Sequence, residues 1–409
     1  MKRKTPWLYT TKAHIIMYGM LLIFTPFLML RNYLQSSIGK LSRLSFTLGG
    51  KEIPYVLITL ILSLIIIALL NYRKIKLSLF FAGIACILLI ALAQLFTDYY
   101  FDHRFYDLQH NWHYFAYGIY SYIAFRYFAN RGNPIERIVL FIFLSAIALS
   151  SFDEGVQVFI SNRIFDISDI AKDSWGAVIG TIFLFFGIFP DKIKDFKPVI
   201  RHKKITSYLS NPKTVVFWEL ILSFILINVS SLLANIRYWY YIIIITLFIF
   251  LVVFFLVHLT QRKTGRIIII CAISSLILLQ TISFIKHKDD SIVQNKCGLI
   301  NYRGIPIPFF DIMIFPNDTF RLVDKKEFFN GRDLSTIYAR VDDILLIGSG
   351  FDDGSIKGFP EDQSVQFVFN HIKNKGLQVV IQPTAEACKT FNRLKREGKN
   401  VLFIIHNSC

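Results

Sequence analysis

Charge is what this 409-residue sequence has least of. Asp, Glu, Lys and Arg make up 18% of it, against about 25% in an ordinary soluble domain. The shortage falls on the acids, 28 of them beside 45 Lys and Arg. Cysteine is scarce too, with five in the chain. Cys86 and Cys271 sit in apolar runs, and Cys297, Cys388 and Cys409 sit in a polar C-terminal stretch without metal-ligand spacing, so no disulfide framework is expected. Hydrocarbon takes the place of charge: 54% of the residues are hydrophobic and 16% aromatic, with a mean hydropathy of +0.48. These numbers exclude a single soluble globular domain and a disordered chain. A net charge of +17 would suggest nucleic acid in a soluble protein. In a chain of long apolar runs it reads as basic loops that set topology, and no nucleic-acid partner is expected.

A membrane-spanning helix needs about 20 predominantly apolar residues. About nine stretches qualify: 14–30, 54–70, 77–97, 113–129, 137–152, 174–190, 214–234, 238–259 and 267–285. The expected fold class is a polytopic α-helical membrane protein of about nine transmembrane helices with a C-terminal small α/β domain. Its surroundings are membrane lipids. The expected divisions are 1–76, N-terminal helices; 77–190, a transmembrane core; 191–289, further helices; and 290–409, the α/β domain. The basic start Met1-Lys-Arg-Lys could open a signal peptide, but no small-residue cleavage site follows, so a retained first helix is expected.

Lys and Arg mark the inner loops of a membrane protein. With the N-terminus inside, the inner loops hold Arg73, Lys74 and Lys76; Arg131 and Arg137; Lys192, Lys194, Lys197, Arg201, Lys203, Lys204 and Lys213; and Arg262, Lys263 and Arg266. The segment 31–53 is an exception, basic on the expected outside. An odd number of spans puts the C-terminal domain outside, in a cell envelope.

Ionisable residues at membrane depth are costly and mark function or internal pairing. They cluster within 110–180. His113 and Tyr117 are i,i+4 and share a helix face. Asp153, Glu154 and Gln157 close the fifth span. Arg163, Asp166, Asp169 and Asp173 precede or open the sixth, in which Gly176 and Gly180 make a G-x-x-x-G spacing suited to close helix packing. Three helix ends are thus expected to converge on the outer side. These nine polar residues form the candidate ligand-binding set. A salt-bridge and capping network, a proton relay and a catalytic centre stay open as readings of the same residues. No residue is assigned a catalytic or metal-binding role, and no pattern assigns a cofactor.

The run from Asp153-Glu154 through Gln157, Arg163 and Asp169 to Gly176-x-x-x-Gly180, with the upstream His113-Tyr-Phe-Ala-Tyr117, resembles the signature of VanZ-like membrane proteins over roughly 80–190. Ser161, Asp173 and His110 stand where that family often has Pro, Asn and Lys. The family is linked by name to resistance to glycopeptide antibiotics, so the resemblance implies an envelope role without a mechanism. His14-x-x-x-Tyr18-Gly echoes His113-x-x-x-Tyr117-Gly, as an internal repeat of a transporter would, but no acidic pair follows the first copy, so the echo is read as coincidence before a repeat.

Beyond about residue 290 charge, Gly and Pro return. Ile344–Gly348, Leu377–Ile381 and Val401–Ile405 read as strands. Residues 362–375 and a stretch opened by Thr384 as N-cap and stopped by Gly398 read as helices, giving βαβαβ with a parallel sheet. Gly348-Ser-Gly350 could cradle a phosphate but lacks the full dinucleotide or P-loop pattern, and His406 with Cys409 offers only two metal ligands. Ile347-Gly-Ser-Gly350, Pro383-Thr-Ala-Glu-Ala387, Phe391-Asn-x-Leu394, Glu397-Gly398 and His406-Asn-Ser-Cys409 are similar to the small α/β domain of the mitochondrial complex I assembly factor 3 and adipogenesis-associated proteins. That resemblance implies a fold and a binding or assembly role.

The functional expectation is a non-enzymatic envelope protein that binds a lipid-linked, glycan-like or glycopeptide ligand at the outer polar pocket. A proton-coupled small-molecule transporter and a membrane-embedded enzyme acting on a lipid carrier are the alternatives.

Overall fold

The computed structural model describes residues 7–25, 37, 40–41, 44–48, 51–71, 76–97, 99–101, 105, 107–160, 165–192, 202, 204–233, 239–287, 291–323, 325, 329, 331–341, 343–351, 367–370 and 374–407. The chain forms two compact units. The first comprises 1–97, 104–231 and 242–250, and the second 98–103, 232–241 and 251–409.

The first unit is a helical bundle built from α1 (Thr11–Phe24), α2 (Tyr55–Asn71), α3 (Leu77–Thr97), α4 (Leu108–Ala129), α5 (Ile135–Gln157), α6 (Ile167–Ile182), the short α7 (Thr206–Ser210) and α8 (Pro212–Leu232), with a hairpin of β1 (Ser45–Leu48) and β2 (Lys51–Pro54). Part of α9 (Trp239–Leu259) also belongs to it. The central element is α6, which continues through a π-helical turn at Phe183–Ile188. Its most apolar window is 72% buried, against 22% or less in each other candidate span. The reason lies in its small residues, which admit neighbouring backbones. A Cβ built on Gly180 would lie 2.7 Å from Gly118 Cα of α4, and one on Gly176 would lie 2.9 Å from the His113 carbonyl. Tyr117, Tyr120, Ala124 and Phe125 of α4 and Ile138, Ile142 and Ala146 of α5 close the core around Ala177, Leu184 and Phe185.

Among the described residues six helices are long and apolar enough to cross a membrane: α3, α5, α6 with its π turn, α8, α9 and α10 (Lys263–Lys286). The other three expected spans fall short of that standard for separate reasons. Helix α1 has 14 residues and α2 has 17, at or below the lower limit of a spanning length. Helix α4 has 22 residues but carries His110, Asn111, His113 and Arg126 among its apolar ones. Outward-facing Leu, Ile and Phe side chains cover α9, and α10 buries none of its residues, as expected of helices whose solvent is hydrocarbon.

The second unit contains an α/β sandwich. A six-stranded sheet has the order β7 (Phe320–Val323), β6 (Asp311–Ile314), β11 (Val401–Ile405), β8 (Ile344–Gly348), β10 (Lys375–Gln382), β9 (Phe367–Asn370). Beside it lies an antiparallel meander of β3 (Ile292–Lys296), β4 (Leu299–Tyr302) and β5 (Ile305–Pro308). Side chains alternate between sheet faces with a period of two, and the core divides accordingly. One face sends Ile312, Ile314, Ile344, Leu346, Phe403 and Ile405 against the meander and against Ala387, Cys388 and Phe391 of α12 (Thr384–Arg396). The opposite face sends Met313, Leu345, Ile347, Leu402 and Ile404 against Ile337 of α11 (Gly331–Arg340) and against Val341, Phe329 and Phe101. The central strands β6, β8 and β11 are buried throughout, which explains their unbroken apolar runs.

Strands β11, β8 and β10 are parallel as expected. The helix expected over 362–375 is corrected: its described part is strand β9, paired antiparallel with β10, because Phe367-Val-Phe369 is aromatic and β-branched. Thr384 is not an N-cap. That place belongs to Pro383, and the buried Thr384 hydroxyl donates to the His406 carbonyl and accepts from Gly350 N–H, at 2.9 and 3.0 Å. Gly398 does stop the helix, at φ +73°.

Candidate functional site

Within the first unit the start of α4, the end of α5 and the start of α6 meet, and they bring most of the expected polar residues together. Asp166 is the N-cap of α6, its carboxylate accepting from Ser168 N–H at 2.8 Å. Asp169 follows in the first turn, where the helix dipole favours negative charge. One turn on, Asp173 accepts from two directions. His113 Nδ1 lies 2.9 Å from Asp173 Oδ1, and Ser150 Oγ donates to Oδ2 at 2.7 Å. The other ring nitrogen of His113 faces Asp169 at 3.6 Å. The fifth group of this cluster is Lys172, whose Nζ lies 3.0 Å from Asp169 and whose side chain is 1% exposed. His113 thus faces both Asp169 and Asp173, and Lys172 faces Asp169.

Asp153, Glu154 and Gln157 occupy the last turn of α5. The Gln157 amide donates to Asp153 Oδ2 at 3.1 Å and to Glu154 Oε1 at 2.9 Å, and Asp166 N–H donates to Glu154 Oε2 at 3.0 Å. Asp166 therefore reaches this group through its backbone. Neither Asp153 nor Glu154 pairs with a cation among the described residues. Three atoms here are buried without a hydrogen bond: Asp153 Oδ1, Gln157 Oε1 and Tyr117 Oη. The Tyr117 hydroxyl lies beside Ser150 without hydrogen-bond geometry. Ser150, Asp153 and Gln157 stand at i, i+3 and i+7 on one face of α5.

Arg163 lies outside the described residues. Lys172 and Ser150 were missed by the sequence reading. Ser150 carried no signal beyond its place one turn before Asp153. Lys172 carried one, a lone cation within α6 at i+3 from Asp169 and next to Asp173.

The second unit holds its own polar cluster at the carboxyl ends of β8, β10 and β11. The buried Asp311 accepts from Asn407 N–H at 2.9 Å, lies 2.5 Å from His406 Nδ1 and faces Lys325 Nζ at 3.2 Å. The Ser349 and Gly350 amides are engaged with the Gln382 carbonyl and Thr384, so the Gly348-Ser-Gly350 turn presents neither of them to a phosphate. Cys409 lies outside the described residues. Burial pushes the Cys388 thiol up to about 12, which keeps it protonated and inert. Among the described residues no group of three or more His, Cys, Asp or Glu could hold a metal ion.

Residues 99–189 match a family model described as VanZ/LLP1. No curated protein matches the chain. A solved structure titled MT938 aligns with 29% of this chain and 97% of its own, at 21% identity and a TM-score of 0.22, too low to establish a shared fold. The α4–α6 bundle and its polar cluster are therefore a VanZ-like segment, set among apolar helices of membrane-spanning length.

Proposed function

We propose that this protein is a non-enzymatic envelope protein that recognises a lipid-linked, glycan-like or glycopeptide ligand at the polar end of the VanZ-like bundle. The observation that carries the reading is the set of three buried, unpaired polar atoms on Tyr117, Asp153 and Gln157. An unsatisfied buried polar group costs about 1–3 kcal/mol. A purely structural network would pair such atoms internally, whereas a binding site holds them in readiness for a partner. His113, Ser150, Lys172, Asp169 and Asp173 then act as the rigid support. The membrane setting of the VanZ-like segment supports a role near the lipid surface. The expected outward placement of the second unit is supported by Cys297, which is disulfide-bonded. Such bonds persist in oxidising compartments.

The test is binding by the full chain in lipid nanodiscs to three probes: a polyprenyl-pyrophosphate-linked saccharide, its free saccharide, and teicoplanin. Saturable binding to at least one, lost in Gln157→Leu with an unchanged melting profile, supports the reading. Saturable binding to none overturns it.

A further inference from the structure

We infer that the end of α5 receives a primary ammonium group of the ligand. This rests on the proposed binding function and adds the chemistry of the group bound. Of the three unsatisfied atoms in that corner two are acceptor oxygens, and the third is a hydroxyl that can accept as well as donate. Asp153 Oδ1 and Gln157 Oε1 are buried acceptors without donors, and the Tyr117 hydroxyl, 3% exposed as a residue, can accept as well. Asp153 and Glu154 are adjacent carboxyl groups with no cation partner among the described residues, while Lys172 and His113 are committed to Asp169 and Asp173. The position deepens the imbalance, because both carboxyls sit in the last turn of α5, where the helix dipole is itself negative. Gln157 cannot relieve it. Its amide already donates to both carboxyls, which leaves its own oxygen bare.

A primary ammonium fits this deficit. It brings one positive charge and three N–H donors, matching three buried atoms that lack partners. A quaternary ammonium brings charge without donors, and an N-acetylated amine brings one donor without charge. Metal ions are a poorer fit, since no group of three ligating side chains exists among the described residues. The ammonium could come from a lipid head group, phosphatidylethanolamine, or from an amino sugar.

The experiment separates these sources. Full-length protein is melted in nanodiscs of phosphatidylglycerol alone, and in nanodiscs that also contain either phosphatidylethanolamine or phosphatidylcholine. Glucosamine or N-acetylglucosamine is titrated into the first. Stabilisation by glucosamine at a concentration roughly tenfold or more below that needed for N-acetylglucosamine, the scale of one lost charge-assisted hydrogen bond, supports the inference. So does stabilisation by phosphatidylethanolamine over phosphatidylcholine. Either effect should disappear in Asp153→Asn, which keeps the side-chain shape. If that variant fails to fold, Glu154→Gln makes the same comparison. Equal responses to the amine and its acetylated form overturn the ammonium assignment and leave ligand binding standing. No response to any amine, while the saccharide or teicoplanin binds saturably, overturns the assignment alone. No binding by any probe overturns both readings.

Discussion

Replacing Gly180 by Ala tests whether the fit of α6 against α4 holds the polar cluster in place. The added Cβ would sit 2.7 Å from both the Cα and the carbonyl oxygen of Gly118, and 3.0 Å from Ser121 Cβ. Two of these neighbours are backbone atoms, so no rotamer change relieves the contact and the helices must separate. Separation also stretches the Ser121 Oγ bond to the Ala177 carbonyl, now 3.2 Å. Overpacking of this kind costs about 1–3 kcal/mol. The substitution also gains helix propensity, up to about 1 kcal/mol for Gly to Ala, which would mask part of the loss. Gly83→Ala supplies the control, because a Cβ on Gly83 of α3 meets nothing within 4 Å and gains the propensity alone. The difference between the two variants should therefore be about 1–3 kcal/mol, independent of the propensity term. Thermal unfolding in detergent micelles, followed by intrinsic fluorescence, measures it. Equal midpoint shifts for the two variants would refute the packing argument.

Lys172→Met should destabilise the bundle by about 3–5 kcal/mol, because it strips Asp169 of its nearest cation in a buried setting; Lys172→Met with Asp169→Leu should recover part of that loss, and additive losses would count against the pairing. Thr384→Val should lower the melting temperature of the second unit, since it leaves the Gly350 amide and the His406 carbonyl without their buried partner at about 1–3 kcal/mol in all; an unchanged melt would show that these groups find other partners. In intact cells Cys297 should react with a membrane-impermeant maleimide only after an impermeant reductant is added, and reaction only after lysis would place it on the other side. Cys388 should stay unlabelled at pH 8, about four units below its thiol value, until the chain is unfolded; labelling in the folded protein at a rate like that of an exposed cysteine would contradict its burial.

What the sequence disclosed about the fold follows the strength of each local pattern. The apolar helices α3, α8, α9 and α10 and the buried strands β8 and β11 were visible because hydrocarbon solvent and a two-sided sheet both demand long uninterrupted apolar runs, and β10 because Val379-Val-Ile381 is β-branched. Strand β9 was misread as a helix because its apolar residues are few and the polar residues around them fit a helical stripe equally well. Its identity comes from pairing with β10, a non-local contact that no short window contains. Thr384 was misread for the related reason that Thr before a helical stripe resembles a cap. Its hydroxyl instead bridges the ends of β8 and β11, which come together only once the sheet has formed.

The candidate site was legible where spacing along one helix carried it and opaque where partners came from different helices. His113 with Tyr117, and Asp153 with Gln157, could be placed on common faces from the i,i+4 rule alone. Which acid each base would choose could not be read that way. Arg163 drew attention as a cation just before the acids of α6 and lies outside the described residues, while Lys172, between Ala171 and Asp173 in α6, lies 3.0 Å from Asp169. A lysine inside a membrane helix normally carries its charge outward along its own stem. Lys172 instead ends 1% exposed, with Asp169 one turn before it and His113 across on α4 facing the same carboxylate. That arrangement needs the close approach of α4 and α6 that Gly176 and Gly180 permit. The small residues and the buried charges of this helix therefore belong to one design. The glycines bring the backbones near enough for His113 to reach Asp173, and among the described residues the pairs so formed leave Asp153 and Glu154 as the acids without a cation.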